Sequence, residues 1–297
     1  MSDSAAILYL QAVTSLHPGS GTALGVVDLP IQRERHTGWP VVPGSSLKGV
    51  LREAMRPALQ GNGAWEAIFG PETRNASAHA GAVTFTDARL LAFPVRSLKG
   101  VFAWVTCKAV LDRYARDLSL AGINAKGLSS ASDPPTGHML ALEDSPLLIE
   151  KQSALLEEFD FTRSGDSSPV AEWLSRHAGV DTATQKRLRS HLVVLNDTDF
   201  THFAVHATEI VARVGIESAT RTVKSGALFY EEFLPPETIL YAVLLAEGSR
   251  KAEIKKNGAA ILGIVRENLP KTLQIGAGET IGKGLVAVSL RGAEDGQ

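Results

Sequence analysis

Apolar residues fall along the chain in patterns that mark its elements. Ile7–Val13 is a nearly unbroken apolar run and predicts an early strand, ended by His17-Pro18-Gly19-Ser20-Gly21. A long glycine- and proline-rich loop runs from there to Ser45. Leu47, Val50, Leu51, Ala54, Met55 and Ala58 then recur at helical spacing, with Ser45 or Ser46 offered as the N-cap. Val83-Thr84-Phe85-Thr86-Asp87 alternates as a half-buried strand does, and a second helix is predicted from about Gly100 to Asp117. Periodicity lapses at about 119–138 and 160–169, which read as mobile loops too short to be domain linkers, so 1–297 is taken as one domain. The second half predicts strands at 192–195, 208–217, 227–233 and 238–246, a helix near 251–267, and a final strand, Leu285–Leu290. Strands and helices mix without a regular βαβ alternation, which argues for an α+β fold.

Composition narrows the class. At 44% hydrophobic and 21% charged, the 297 residues bury a proper core and are not a disordered chain. Thirty Lys and Arg against 32 Asp and Glu leave a net charge of −2, which excludes a protein that coats DNA by bulk charge but leaves room for a local cationic groove. A lone Cys107, read as a small buried residue on a helix, supplies neither an intramolecular disulfide nor a thiolate zinc site. The start, MSDSAAILYLQAV, is a poor secretory signal, and the longest apolar run, Ile239–Ala246, is far short of a membrane span. A cytoplasmic protein without a membrane partner is expected.

Four segments offer chemistry. In His17–Arg35, Asp28 lies on a glycine-bearing loop beside Arg33 and Arg35, as a functional acid or as a salt-bridged loop anchor. In Pro43–Arg52, the serines and free amides of a helix start make a phosphate seat, with Lys48 and Arg52 on one side of the helix. Gly276–Gly284 has the wrong glycine spacing for a nucleotide-binding P-loop, and Gly284 replaces the hydroxyl that would hold magnesium. What remains is an amide-rich turn with Lys283. Thr208–Pro236 reads as two strands joined by an exposed basic connection carrying Arg221 and Lys224, followed by Glu231-Glu232 as general base, metal ligand or edge-strand charge pair. His202 and His206, four apart on a helix, lack a third ligand nearby, and a packed pair is the simpler reading.

Taken in order, GVVDLPIQRE, GSSLKGVLR, PVRSLKGVFAWVT, VARVGIESATRTVKSGALFYEEFLPP and LQIGAGETIGKGLV resemble the RAMP superfamily of CRISPR-associated RNA-binding proteins. Within it they resemble the subunit-four family of the Cmr complex, the repeated backbone of the type III-B effector. The resemblance implies an RNA-recognition-motif-like (ferredoxin-like) palm with an inserted helical region and a protruding thumb β-hairpin. It implies head-to-tail stacking of copies on a guide RNA, capped by other Cmr subunits, and metal-dependent endoribonuclease cleavage of a target RNA at regular intervals. Asp28 matches the catalytic acid and a ligand to a divalent cation, Mg²⁺, with His17 and Glu231 beside it. Phe233 stands at one position where a tyrosine is expected, while Tyr230 precedes the glutamate pair. Ser46, Lys48, Arg52, Arg221, Lys224, Gly278 and Lys283 become contacts to the RNA. A non-catalytic scaffold and a guide-processing endoribonuclease of the same superfamily are the alternatives.

Overall fold

The computed structural model describes residues 4–125, 127, 128 and 132–293. The expected loop at 119–138 lies partly outside them. The first half comprises β1 (Ser4–Ala12), β2 (Val41–Val42), α1 (Gly44–Ala54), α2 (Arg56–Leu59), α3 (Ala64–Phe69), β3 (Val83–Phe85), β4 (Ala88–Arg96), β5 (Phe102–Cys107) and α4 (Lys108–Leu120). Next come β6 (His138–Ala141), β7 (Ser153–Leu156), β8 (Phe159–Gly165), α5 (Ser168–His177), α6 (Thr182–His191), β9 (Leu192–Leu195) and α7 (Asp197–His206). The chain closes with β10 (Glu209–Arg213), β11 (Phe229–Phe233), β12 (Ile239–Ala246), α8 (Gly258–Asn268), β13 (Thr272–Gln274) and β14 (Leu285–Gly292).

One mixed sheet holds the core, in the order β13-β14-β1-β12-β4-β5-β9-β6-β8-β7, with β2 on β4 and β3 on β12. β1 lies between β12 and β14, antiparallel to both, and is buried on both faces from Ala6 onward. That explains why its sequence is a continuous apolar run and not an alternation. Helix α4 sets Tyr114 against Tyr9 and Tyr241, whose ring centroids lie 6.4 and 4.7 Å away. α8 packs on β1 and β12.

Three expectations are corrected. The predicted helix at Gly100–Asp117 is a strand followed by a helix: Val101, Phe102, Trp104, Val105 and Thr106 are β-formers, and the chain turns into β5 through Gly100 (φ +72°) and Val101 (φ +77°). Cys107 therefore ends a strand, where burial raises its thiol pKa. Segment 160–165 belongs to β8, hydrogen-bonded between β6 and β7. Its side chains are mostly exposed, so only its backbone pairing makes it a strand. Finally, α1 opens at Pro43 without a side-chain cap from either serine. The Gly44 N–H donates instead to Asp87 Oδ1 at 2.8 Å, and a Cβ on Gly44 would stand 2.5 Å from the Phe85 carbonyl oxygen.

β10 and β11 form a separate two-stranded hairpin, in register from Glu209↔Phe233 to Arg213↔Phe229. Its connection, 214–228, is largely exposed and carries Val214, Ile216, Val223 and Leu228 on the outside. An isolated hairpin is marginal in water, so its root must be tied to the body. Those ties make the site.

Candidate active site

Strand β11 is the rail on which the candidate acids meet. The loop after β1 runs back along it twice: Leu16 and Leu234 exchange backbone hydrogen bonds (2.9 and 2.8 Å), and Leu29 N–H donates to the Tyr230 carbonyl while Leu29 O accepts from Glu232 N–H, both at 3.0 Å. Asp28 and His17, on one loop, and Glu231, far later in the chain, are thereby brought to the same strand.

Asp28 is half-buried, and its Oδ2 accepts the Tyr230 N–H at 2.7 Å. Its other oxygen makes no hydrogen bond among the described residues. His17 is buried, and its Nδ1 lies 2.6 Å from the Glu232 carbonyl oxygen. A carbonyl only accepts, so Nδ1 carries the proton and Nε2 is the free lone pair in the neutral ring. Gly19 leaves room for that nitrogen, since a Cβ there would lie 2.7 Å from Nε2. Glu231 is buried, with Oε2 2.8 Å from Arg213 Nε. It is a paired carboxylate, which disfavours a role as a free base.

The glycine turn closes the same site from behind. Ala277 N–H donates to the His17 carbonyl at 3.1 Å, and Gly284 N–H to that of Ser15 at 2.9 Å. Gly276 (φ +78°) has no room for a side chain, because a Cβ would stand 2.2 Å from the His17 carbonyl oxygen. Gly278 (φ +83°) opens the short turn that precedes Lys283. Lys283 Nζ donates to Ser15 Oγ at 3.2 Å and lies 4.9 Å over the Phe233 ring, which His17 also touches at 5.5 Å. Ser15 Oγ in turn donates to Glu209 Oε2 at 2.6 Å, at the root of the hairpin.

The remaining candidates sit elsewhere. Arg221 (φ +58°) and Lys224 are exposed in the hairpin connection. Ser46 is exposed on the first turn of α1, and α1 touches β13, the strand that feeds the glycine turn. Lys48 Nζ donates to the Val83 carbonyl at 3.2 Å, and burial, with Arg52 nearby, holds its pKa below the usual lysine value. Arg52 corrects the sequence reading. Its guanidinium donates to the carbonyls of Phe69 (3.1 Å), Gly70 (2.8 Å) and Pro71 (3.0 Å) and lies 4.0 Å over Trp65. That arrangement makes it a clamp between α1 and the end of α3, and its assignment to RNA is withdrawn. His202 and His206 pack together with ring centroids 4.9 Å apart. No group of three or more His, Cys, Asp or Glu with metal-binding geometry occurs among the described residues.

Sequence reasoning passed over Glu232 and Arg33 as a pair. Asp28 is not held by either neighbouring arginine as the salt-bridged anchor the sequence allowed; Arg33 pairs with Glu232 instead, Nη2 to Oε1 at 2.5 Å. The signal was partial: two adjacent glutamates in one strand point to opposite faces, so at least one turns toward the body and needs a buried partner.

A mixed α/β body with a hairpin rooted beside a half-free carboxylate defines the general class. The chain belongs to the RAMP superfamily, whose profile matches residues 9–287. It is 39% identical over 287 residues, 95% of this chain and 94% of the other, to the CRISPR system Cmr endoribonuclease Cmr4 of Pyrococcus furiosus. It is 27% identical over 302 residues, 94% of each, to the CRISPR system CMR subunit Cmr4 of Saccharolobus solfataricus. Among solved structures, oligomeric Cmr4 from Pyrococcus furiosus superposes with a TM-score of 0.74 at 31% identity, covering 97% of this chain and 98% of that one. A chain of the type III-B Cmr-beta complex bound to cognate target RNA gives 0.76 at 25% identity, covering 100% and 99%.

Proposed function

We propose that this chain is a backbone subunit of a type III-B CRISPR effector that binds guide RNA, stacks head to tail on its own copies and cuts complementary target RNA at regular intervals. The observation that carries the cutting role is Asp28: a carboxylate with one oxygen fixed and one unused, at the hairpin root, in a chain 39% identical to a Cmr endoribonuclease. The order β14-β1-β12-β4, all antiparallel, with α1 and α8 in its two crossovers, supports a ferredoxin-like palm, with β10–β11 as the thumb. Its exposed apolar connection suits a wedge that parts stacked bases. The longest helices here, including α4, do not meet the length and hydropathy of a membrane span, which is compatible with a cytoplasmic effector.

RNA strand scission by internal attack forms the O2′–P bond and breaks P–O5′. Asp28 takes the proton of the attacking hydroxyl, and His17, protonated at Nε2, returns one to the leaving oxygen. Along β11, Tyr230 and Glu232 are two residues apart, so the groups they hold are offset by about 6.6 Å of strand, a span that fits one group on each side of a phosphodiester. Prying a nucleotide out of the helix permits the in-line geometry this needs. The fit to a divalent cation is partial: Asp28 offers one free oxygen, whereas Glu231 and Glu232 are held by Arg213 and Arg33. The donor set suits a cation whose other ligands come from RNA phosphate and water, and such an ion would supply charge neutralisation at the phosphorus. Ser46, Lys48, Arg221, Lys224, Gly278 and Lys283 would hold the RNA backbone without reading bases.

Target RNA labelled at its 5′ end, incubated with the reconstituted complex and Mg²⁺, should give an evenly stepped ladder on a denaturing gel. Asp28→Asn should abolish the ladder and leave target affinity within about twofold. Retained cutting by that variant removes Asp28 as the acid; a wild-type complex that binds and never cuts makes the subunit a scaffold.

A further inference from the structure

We infer that Glu232 is the positioning residue of this site: its buried carboxylate pins the loop just after Asp28, and the start of the hairpin, to strand β11, whose backbone holds both Asp28 and His17; the inference rests on Asp28 being the catalytic carboxylate. The Glu232 carboxylate is buried and fully engaged. Oε1 takes Arg33 Nη2 at 2.5 Å and Thr208 Oγ1 at 2.8 Å, and Oε2 takes the Ile31 N–H at 3.0 Å. Its backbone N–H donates to Leu29 O, beside Asp28, and its carbonyl accepts from His17 Nδ1. The side chain thus holds Ile31 and Arg33, on the loop after Asp28, and Thr208, just before the hairpin, while the backbone of the same residue holds Leu29 and the His17 imidazole.

Arg33 extends the grip. Its guanidinium donates to the carbonyls of Gly38 (2.8 Å), Ala204 (3.0 Å) and Val205 (3.3 Å), tying the loop to the end of α7. Phe233 anchors the hairpin root by burial, and the polar contacts beside it, which are directional where apolar packing is not, set the angle of the hairpin to the body. The second such contact is Lys283–Ser15–Glu209 on the other hairpin strand. Glu232 holds no reacting atom. It acts by keeping the Asp28 oxygen and His17 Nε2 on their two sides of the phosphodiester, where a displacement of about 1 Å costs ~10²-fold in rate.

The test uses the assembled complex with guide and labelled target, in single turnover at saturating target. Glu232→Gln keeps the volume and removes the charge. The expected result is a cleavage rate lowered ~10²-fold, with half-saturating target concentration and complex assembly unchanged and the shape of the pH–rate profile retained. Arg33→Gln with Glu232→Gln also removes the Arg33 bonds to Gly38, Ala204 and Val205 and should cut no faster than Glu232→Gln alone; a double variant that cuts at the wild-type rate overturns the inference. Wild-type rate in Glu232→Gln overturns the inference. So does loss of a limb of the pH profile, which would make Glu232 a proton carrier, or a fall in rate that merely tracks a fall in assembly. Should Glu232→Gln not fold, Thr208→Val removes one contact without stranding a charge, and a rate unchanged by it, with the fold intact, likewise overturns the inference. Asp28→Asn runs alongside: if it cuts, the reading of the acid has failed; if it is dead while Glu232→Gln cuts normally, only the positioning role has.

Discussion

Replacing Arg52 with methionine separates two roles that the sequence alone left open. The guanidinium donates to three backbone carbonyls, two of them on the buried residues Phe69 and Gly70, and lies on the Trp65 ring. A hydrogen bond from a charged donor contributes about 1.5–3 kcal/mol, but three bonds sharing one cation do not add. The ring contact contributes about 0.5–1 kcal/mol more at a half-exposed position. Methionine keeps the aliphatic packing and leaves the carbonyls without donors, so the net loss should be about 3 kcal/mol. At ~2 °C per kcal/mol for a chain of this size, the melting temperature should fall by about 6 °C. RNA affinity is the second reading. A cation on a phosphate contributes ~0.7 to the slope of log K against log salt for a single strand. Arg52→Met should therefore leave that slope unchanged, whereas Lys283→Met should reduce it. Calorimetric melting and filter binding across a salt series decide it: an unchanged melting temperature with a reduced slope for Arg52→Met refutes the clamp.

Two further outcomes follow from the geometry. Gly276→Ala places a Cβ 2.2 Å from the His17 carbonyl oxygen at φ +78°; the left-handed conformation alone costs ~1–2 kcal/mol, so both melting temperature and cleavage should drop, and a variant indistinguishable from wild type in both would show that the turn does not press on His17. His177, stacked on Trp173, and His191 both have pKa values held below the ordinary histidine value, chiefly by burial. The unfolded chain therefore binds their protons more readily, and stability is lost as pH falls from about 6.5 through the lower folded values. The difference in melting temperature between pH 7.5 and pH 5 should shrink in the His177→Gln, His191→Gln double variant; an unchanged difference means these two rings do not contribute to the acid sensitivity.

Strands whose burial is continuous were legible as runs, so β1, β9 and β12 fall close to where the apolar pattern puts them, and β14, whose burial alternates, was legible as well. The failures share a cause. β8 is a strand because two neighbours pair with its backbone, and only Phe161 of its side chains is buried. Nothing local encodes such a pairing. α5 and α6 were not separated from the strand-rich half, although Trp173 and Leu174 on one and Leu188 on the other point inward. At the site, Asp28, His17 and Lys283 could be singled out as residues, but which cation meets which carboxylate depends on contacts across about 200 positions. Arg33 and Arg35 both flank Asp28 in sequence. The fold pairs Arg33 with Glu232 and leaves Asp28 to a backbone amide.

That division of labour among the acids leaves Asp28 with an uncommitted oxygen at the hairpin root, the arrangement the proposed cutting role needs. Glu209, Glu231 and Glu232 stand around the hairpin root, and each is neutralised or hydrogen-bonded: by Ser15, by Arg213, and by Arg33 with Thr208. Were these partners absent, the three carboxylates would crowd negative charge at the hairpin root and repel an approaching RNA phosphate. With the pairs in place, the carboxylate that stays unmatched is the one the loop holds by a neutral N–H, half-open to solvent. Lys283 and His17 both lie against the Phe233 ring, which places a cation at the same hairpin root. The paired glutamates thus limit the unmatched negative charge at the hairpin root, which the proposed approach of a polyanion requires, and disturbing the Glu232 pair should reach Asp28 through the backbone.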